Sequence, residues 1–318
     1  MSSLARTKTW KWCCLRVPRA TSAAVQKIRS NGVVLQSAEL LETLTRAARV
    51  FHWAEDPEPP PFDQVPEGNL YVGVDLGTAY LTVAVLDDQY QPLTGEYRFA
   101  QVARDGLVVD FVGAVDLVKS MKDRIEQRIG RELTHAASGY PPGVPRTEVQ
   151  ATAHVVEAAG MICTGLVDEP SAANTLVGLE NGVIVDVGGG TTGIAVVENG
   201  QVVYTADEAT GGTHFSLVVA GAHDISFEDA ERLKIDPAEQ PALFPVLKPV
   251  LEKVASIVAR HIEGYQIPLI TLVGGTSAFY RAAEVIEEYT GIPAWVPDFP
   301  ALVTPIGMAM HDNKMETS

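Results

Sequence analysis

Two aspartates end apolar, β-branched runs and are followed by glycine and threonine. Asp75 stands in "VGVDLGTAYL", residues 72–81, and Asp186 stands in "VIVDVGGGTTGIAVV", residues 183–197. Backbone N–H groups of a glycine-rich turn bind phosphate oxygens, and a nearby carboxylate can share the hydration shell of Mg²⁺. One such turn also suits an ordinary hairpin. Two copies favour a pair of turns that hold a polyphosphate and a metal ion.

The donors to phosphate in this interpretation are small residues and hydroxyls. They are Gly77 and Thr78 in the first turn, and Gly188, Gly189, Gly190, Thr191 and Thr192 in the second. Residues 188–193 also match the dinucleotide-binding pattern Gly-x-Gly-x-x-Gly, which has to open a helix. A β-branched strand follows here, so the context argues against dinucleotide binding.

The bulk composition limits the function classes. The chain has 318 residues, 46% of them apolar, which is enough for one large domain or two lobes. Its net charge of −16 argues against nucleic acid or an anionic membrane surface as the partner. No apolar run is long enough to cross a membrane, so a soluble intracellular protein is expected. The cysteine and histidine spacings predict neither disulfides nor a zinc site.

The charge is unevenly distributed along the chain. Residues 1–50 contain nine Lys or Arg and two acidic residues, whereas residues 54–69 form a proline-rich acidic stretch. This pattern predicts a basic arm and linker over residues 1–68, outside the folded core. Within the arm, apolar spacing predicts a helix over residues 37–51, with Ser37 as its N-cap.

From residue 69 onward the chain has the pattern of a duplicated α/β unit. Asp186 follows Asp75 by 111 residues, and Val196 follows Val85 by the same interval. Three strands are predicted in each copy. In the first copy the turn "DDQYQPLTG" leads into the third strand, and in the second copy the third strand is "QVVYTA". We therefore predict a first lobe over 69–182, a second over 183–303, and a C-terminal helix over 304–318 that returns to the first lobe.

Five further segments have helical periodicity. They are residues 111–130, 146–161, 227–234, 244–265 and 277–291. Strands interleaved with helices in this order indicate a mixed sheet that is largely covered in each lobe.

The tandem turns resemble the phosphate-1 and phosphate-2 motifs of the actin, Hsp70 and sugar-kinase superfamily. Four further motifs follow in the order of that superfamily. "LVDEPSAANTL" (166–176) resembles the first connecting segment, and "AERLK" (230–234) resembles the adenosine-contacting helix. "LITLVGGTSAF" (269–279) resembles the adenosine motif, and "TPIGMAM" (304–310) resembles the second connecting segment. The resemblance implies a two-lobed α/β fold of the actin-like ATPase type, with duplicated ribonuclease H-like lobes.

Within that superfamily, four stretches resemble the ethanolamine-utilisation EutJ family. They are "ARDGLVVDFVGAV", "YPPG", "DEATGG" and "VARHIEG". These are compact, Hsp70-like presumed chaperones encoded with an ethanolamine microcompartment. The resemblance implies a cytoplasmic protein, associated with a bacterial microcompartment, that binds ATP or ADP with Mg²⁺. Its implied partner is a protein client, such as an ethanolamine-utilisation enzyme or a shell protein.

The resemblance assigns catalytic roles to three carboxylates. Asp75 and Asp186 would hold Mg²⁺ through water, and Glu169 would orient the attacking water. The alternatives are two aspartates that cap turns and a helix-start glutamate before Pro170.

The resemblance also assigns nucleotide contacts. Glu231 and Lys234 would flank adenine or ribose, and Gly212, Gly274 and Gly275 would line the nucleotide. The alternatives are an i,i+3 ion pair between Glu231 and Lys234, and a tight turn at the two later glycines.

The chain departs from the Hsp70 pattern in two places. Hsp70 proteins have a catalytic lysine after the first hairpins, and residues 88–118 contain no lysine here. Ala278 stands where the family has an arginine. Slow hydrolysis is therefore expected, and three alternatives stay open: a nucleotide-sensing pseudo-ATPase, an actin-like filament or scaffold protein, and, disfavoured by the short second lobe, a kinase.

Overall fold

The computed structural model describes residues 38–104 and 107–312. Its helices are α1 (Ala38–Val50), α2 (Phe111–Ile129), α3 (Arg146–Ala158), α4 (Glu169–Val177), α5 (Gly212–His223), α6 (Phe227–Ile235), α7 (Gln240–His261), α8 (Ala282–Thr290) and α9 (Val303–Ala309). Short 3₁₀ segments cover Gly275–Ala278 and Pro300–Leu302. Within these described ranges, no helix is long and apolar enough to cross a membrane. The predicted cap Ser37 lies outside them.

The strands alternate with the helices, as the sequence pattern predicts. They are β1 (Phe51–Trp53), β2 (Tyr71–Leu76), β3 (Tyr80–Leu86), β4 (Pro92–Phe99), β5 (Ala103–Arg104), β6 (Leu107–Val108), β7 (His135–Tyr140), β8 (Ile162–Asp168), β9 (Gly182–Val187), β10 (Thr192–Glu198), β11 (Gln201–Glu208), β12 (Ile270–Val273) and β13 (Ala294–Trp295).

The described chain divides into two compact units. The N-terminal unit contains residues 43–176 and 302–312, and the C-terminal unit contains residues 38–42 and 177–301. The break after residue 176 falls six residues before the predicted boundary at 182. Each unit is built on one large mixed sheet.

The sheet of the N-terminal unit has the order β1-β4-β3-β2-β7-β8. Strand β3 is antiparallel to β2 and β4, whereas β7 and β8 continue parallel to β2. Apolar side chains of β2 and β3, including Val74 and Val83, join Met121 and Ile125 of α2 in one buried cluster. Burial of this apolar surface is the main force that holds α2 against the sheet.

The segment predicted as a separate arm and linker is part of this unit from residue 43. Strand β1 pairs in parallel with β4, and Phe51 is buried opposite Gly95. Further along, Glu58 forms ion pairs with Arg124 and Arg128 of α2. The predicted boundary at residue 69 is therefore corrected. Proline content and charge indicated a linker, but they did not reveal that two aromatic residues before it add an edge strand.

The sheet of the C-terminal unit has the order β11-β10-β9-β12-β13. Strand β10 is antiparallel to both β9 and β11, and β12 is parallel to β9. Val185 and Ile194 of this sheet pack with Val254 and Val258 of α7 in a second buried cluster.

The registers of the two sheets confirm the duplication. Asp75 lies opposite Thr82 in the first sheet, and Asp186 lies opposite Gly193 in the second. Each residue of the second pair follows its counterpart in the first pair by 111 residues. Each unit also has an irregularity at the equivalent point of its next strand pair, after Val85 and after Val196. Repeats of a register and of an irregularity are the result expected of a duplicated unit.

Helices differ from the predictions where local propensity and packing disagree. The predicted helix over 244–265 begins at Gln240 and ends at His261, and the one over 277–291 begins at Ala282 after a 3₁₀ turn. Helix α5 was not predicted, since its glycines and β-branched residues disfavour a helix. It forms because Phe215 and Val219, one turn apart, are buried in a cluster with α7.

Candidate functional site

The glycine turn between β9 and β10 is held in place by hydrogen bonds to its carbonyls. Gly188 O accepts from Gly212 N at 2.9 Å and from the Thr276 hydroxyl at 2.8 Å. Gly189 O accepts from Thr213 N at 2.7 Å. The first N–H groups of α5, which have no partner inside the helix, are thus satisfied by the turn. The structure brings together three predicted glycines and adds Thr276, which sequence reasoning did not single out.

Asp186 lies at the carboxyl end of β9 and is buried. Gly274 follows the neighbouring strand β12 with φ of 83°, a backbone conformation that favours glycine. A Cβ at Gly274 would collide with the Asp186 carboxylate and would lie 2.6 Å from Val187 O. Gly275 then begins the 3₁₀ turn. The structure therefore places the predicted residues Asp186, Gly274 and Gly275 at one edge of the sheet.

Glu231 and Lys234 of α6 form a buried ion pair with 2.6 Å between Oε2 and Nζ. Lys234 Nζ also donates to Gly212 O at 3.2 Å, and the Ser216 hydroxyl donates to Glu231 at 2.5 Å. Glu231 and Lys234 thus form the i,i+3 ion pair that was the alternative interpretation. The pair belongs to a hydrogen-bond network that extends to the start of α5. Ser216 has no motif that would have identified it, although it lies one turn after Gly212 on the same helix.

The two threonines after the glycines have different environments. Thr192 is fully buried, and its hydroxyl donates to Thr210 O at 2.5 Å. A hydroxyl has one hydrogen to donate, and in this structure Thr192 directs it to Thr210 O, while its phosphate contact stays a prediction. Thr191 is buried beside it in the turn. Thr192 therefore fixes the loop before α5.

In the N-terminal unit, Asp75 and Glu169 occupy equivalent strand ends. Asp75 lies near the carboxyl end of β2 and is half-buried, and Gly77 and Thr78 follow it in the turn to β3. Glu169 begins α4 directly after β8. Because β2, β7 and β8 are parallel, Asp75 and Glu169 lie at the same edge of the sheet.

That edge contains further polar groups after β7 and β8. Asp168 Oδ1 accepts from Ser171 N at 3.1 Å and so caps α4. Burial, together with the charge of Asp168, raises the pKa of Tyr140, which ends β7. Away from that edge, burial lowers the pKa of His311, whose Nε2 lies 2.8 Å from the Thr175 hydroxyl of α4. His311 is therefore mostly neutral at pH 7.

Helix α9 returns to the N-terminal unit and is fixed there at its end. The buried Asp312 accepts from Val72 N at 2.8 Å and lies 2.6 Å from His135 Nδ1. It also contacts the Thr164 hydroxyl. Asp312 thus joins the starts of three parallel strands, a role for which the sequence offered no signal. These contacts keep α9 against β2.

The donor set fits a nucleotide with magnesium. Glycine amides, a buried carboxylate and a buried lysine within one unit match the charge and hydrogen-bonding needs of phosphates and ribose. In residues 38–104 and 107–312, no group of three or more His, Cys, Asp or Glu side chains could hold a metal ion by itself.

Comparison with known proteins supports this interpretation of the fold. Residues 115–308 match the family model described as type IV pilus assembly protein PilM. The chain is 43% identical over 244 residues to the ethanolamine utilization protein EutJ of Escherichia coli (strain K12), which covers 76% of this chain and 86% of that relative.

Solved structures agree with the sequence comparison. The crystal structure of EutJ from Carboxydothermus hydrogenoformans matches with a TM-score of 0.79 and 40% identity over 86% of this chain and 98% of the other. MreB5 of Spiroplasma citri bound to AMPPNP matches with a TM-score of 0.63 and 18% identity over 77% and 96% of the two chains. The predicted actin-like ATPase fold is confirmed. The chain therefore belongs to the ethanolamine utilization protein EutJ family.

Proposed function

We propose that this protein binds ATP with Mg²⁺, hydrolyses it slowly, and works as a nucleotide-controlled switch for a protein client in ethanolamine utilisation. The observation that carries the proposal is the hydrogen-bond network around Gly188, which ties the glycine turn to α5, α6 and the 3₁₀ turn. A turn held this firmly presents its amides in a fixed direction. Such preorganisation is what phosphate recognition by backbone N–H groups needs.

Each part of the network has a proposed role toward the nucleotide. The amides of Gly189 and Gly190 would donate to phosphate oxygens. Thr276 fixes the turn, because its hydroxyl donates a hydrogen bond to Gly188 O. Glu231 would accept from ribose hydroxyls while Lys234 holds its carboxylate in position. ATP and Mg²⁺, when bound, supply the transferable phosphoryl group and neutralise its charge.

The carboxylates would act on water. We expect Asp75 and Asp186 to hold water molecules of the magnesium shell, and Glu169 to orient the attacking water. Residues 88–118 contain no lysine, so the positive charge that the corresponding lysine of Hsp70 proteins brings to the phosphates is missing from this stretch. Slow turnover follows, and a nucleotide-sensing module without turnover is the second candidate.

The biological setting of the proposal comes from the relatives. Their name supports a place in ethanolamine utilisation, and AMPPNP in MreB5 of Spiroplasma citri supports an adenine nucleotide in this fold. We propose a cytoplasmic protein whose clients are enzymes or shell proteins of the ethanolamine microcompartment.

The nucleotide proposal is tested by the melting temperature of the full chain with and without Mg-ATP. A ligand at about 100 times its dissociation constant stabilises a protein by roughly 2.7 kcal/mol. We expect a clear rise with Mg-ATP and none with Mg²⁺ alone. An unchanged melting curve at millimolar Mg-ATP would contradict the proposal. Phosphate release against a heat-killed control then separates the slow ATPase from the module without turnover.

The client proposal is tested separately, by binding of the immobilised full chain to purified ethanolamine-utilisation enzymes and shell proteins. We expect at least one of them to bind with an affinity that changes between ATP and ADP. Equal binding in both nucleotide states would exclude a switch even if ATP binds.

A further inference from the structure

Hydrogen bonds connect α6, the start of α5 and the 3₁₀ turn in a chain around Gly212. Lys234 Nζ of α6 donates to Gly212 O, and Gly212 N donates to Gly188 O. The Thr276 hydroxyl of the 3₁₀ turn donates to the same Gly188 oxygen. These groups lie close together, because a Cβ at Gly212 would be 2.5 Å from Thr276 Oγ1 and 3.1 Å from Lys234 Nζ. The chain thus links α6 to the 3₁₀ turn on one side.

Gln240 completes this chain of hydrogen bonds on the other side. It is the first residue of α7 and is buried, with 4% of its surface exposed. Its Nε2 donates to Lys234 O at 2.9 Å, and its Oε1 accepts from Tyr280 N at 3.0 Å. Tyr280 follows the 3₁₀ turn that contains Thr276. The contacts that run from α6 through the glycine turn to the 3₁₀ turn therefore return to α6 through one side chain.

A glutamine suits both partners of this side chain. Lys234 O can only accept, and the N–H of Tyr280 can only donate, so the two partners fix the orientation of the carboxamide. Lys234 is also the second-last residue of α6, and its carbonyl has no acceptor role within the helix. Gln240 supplies a donor to this carbonyl and an acceptor to Tyr280 at the same time. No sequence motif identified it, because apolar periodicity predicted that the helix begins at residue 244.

We propose that Gln240 is a positioning residue for the nucleotide, which sets the distance between α6 and the 3₁₀ turn. This role rests on the proposed function, in which Glu231 of α6 accepts from the ribose and the glycine turn binds the phosphates. Thr276 holds the glycine turn, and Gln240 connects the segment of Thr276 to the helix of Glu231. Gln240 thus keeps the ribose-binding and phosphate-binding groups in register and acts through them.

Apolar packing holds the same elements together in a less specific way. Ala230 of α6, Leu243 of α7 and Phe279 after the 3₁₀ turn belong to one buried cluster. This cluster should keep the unit folded when Gln240 is replaced. Apolar contacts have little directional preference, whereas a hydrogen bond requires a defined distance and angle. Loss of Gln240 should therefore change the geometry of the site more than the fold.

The test compares two ligands of the full chain by isothermal titration, for the unmutated protein and for Gln240→Met. Mg-tripolyphosphate carries the phosphates of ATP without adenosine, so it uses the glycine turn but not Glu231. The loss of two hydrogen bonds should raise the dissociation constant of Mg-ATP by roughly 10-fold. The dissociation constant of Mg-tripolyphosphate should change by less than about 2-fold, since the bond from Thr276 to Gly188 remains.

Two further variants separate positioning from a general loss of stability. Gln240→Asn keeps the carboxamide but is one methylene too short to reach both partners, so the same preferential loss of Mg-ATP affinity should appear. Val254→Ala removes buried apolar volume from another part of α7. It should lower the melting temperature and leave the ratio of the two dissociation constants unchanged. Without nucleotide, the Tyr280 amide hydrogen should exchange faster in Gln240→Met than in the unmutated chain.

Equal losses of affinity for both ligands in Gln240→Met, or no loss for either, would overturn the proposal. So would a Val254→Ala variant that loses Mg-ATP affinity to the same extent. A melting curve for each variant shows whether it is folded at the temperature of the titration. If the unmutated chain binds no Mg-ATP, the proposed function itself is contradicted, and the role of Gln240 is excluded with it.

Discussion

Lys234 and Glu231 form a buried ion pair whose lysine also donates to Gly212 O. The pair joins α6 to the first residue of α5, and Gly212 in turn donates to the glycine turn through Gly188 O. The same two side chains that the family resemblance assigns to the nucleotide therefore also connect α6 to the start of α5 and to the glycine turn. Their substitution should affect stability and binding together.

Lys234→Met should destabilise the protein by about 3–5 kcal/mol, because it leaves the Glu231 carboxylate buried without its main counter-charge. Urea unfolding at pH 7 measures the change. The double variant Lys234→Met/Glu231→Leu removes both charges and should recover most of the stability. A double variant as unstable as the single one would show that the packing of these side chains, and not the unpaired charge, determines the loss.

Asp186→Asn should abolish the rise in melting temperature caused by Mg-ATP. The amide keeps the shape of the buried side chain but removes the negative charge that would hold the magnesium shell. Asp116→Asn, at an exposed position of α2, is the matched control and should keep the full rise. If Asp186→Asn keeps it as well, Asp186 serves only the turn beside Gly274.

Glu169→Gln should reduce ATP turnover by roughly 10²-fold or more and leave Mg-ATP affinity nearly normal, since a positioned base acts mainly on the chemical step. Steady-state phosphate release and an ATP titration provide the two readouts. Asp75→Ala, by comparison, should lose affinity as well. Unchanged turnover in Glu169→Gln would remove this residue from the mechanism.

A chain that begins at Asn69 should be less stable than one that begins at Ala38. The shorter chain loses β1, and burial of Phe51 and Trp53 contributes about 1.5–3 kcal/mol for each side chain. Thermal unfolding of the two chains under the same conditions measures the difference. Equal stability would restore the sequence-based boundary at residue 69.

Gly307→Ala should destabilise the N-terminal unit by about 1–3 kcal/mol through overpacking, because a Cβ there would collide with Ala172 O of α4. The control is Gly221→Ala in α5, where a Cβ would have no atom within 4 Å. There alanine should be neutral or stabilise by up to about 1 kcal/mol through its helix propensity. A neutral Gly307→Ala would mean that α4 and α9 can separate at little cost.

Much of the fold could be predicted from local sequence. Apolar, β-branched runs that end in Asp75 and Asp186 identified the first strand of each unit, and the constant interval of 111 residues identified the duplication. Periodic spacing located α2 and α6 to within a residue or two. These signals are local, since strand and helix faces repeat within a few residues of one another.

The contacts that assemble the candidate site could not be predicted in this way. Thr276 bonds to Gly188 across 88 residues, and Asp312 bonds to Val72 across 240. Such bonds depend on which strands and helices become neighbours, and no local pattern encodes that. Sequence motifs identified the glycine turn, but not the hydroxyl that holds it or the use of Thr192 to fix the following loop.

The sequence by itself therefore determined the duplicated α/β plan, the two glycine-rich turns and the carboxylates beside them. The tertiary structure alone decided that β1 belongs to the first sheet, that the β-branched residues of α5 form a helix, and that Glu231 and Lys234 are buried as a pair. The physical reason is the same in each case. Burial of Phe51 and Phe215 and the closure of long-range hydrogen bonds outweigh local propensities of about 1 kcal/mol or less per residue.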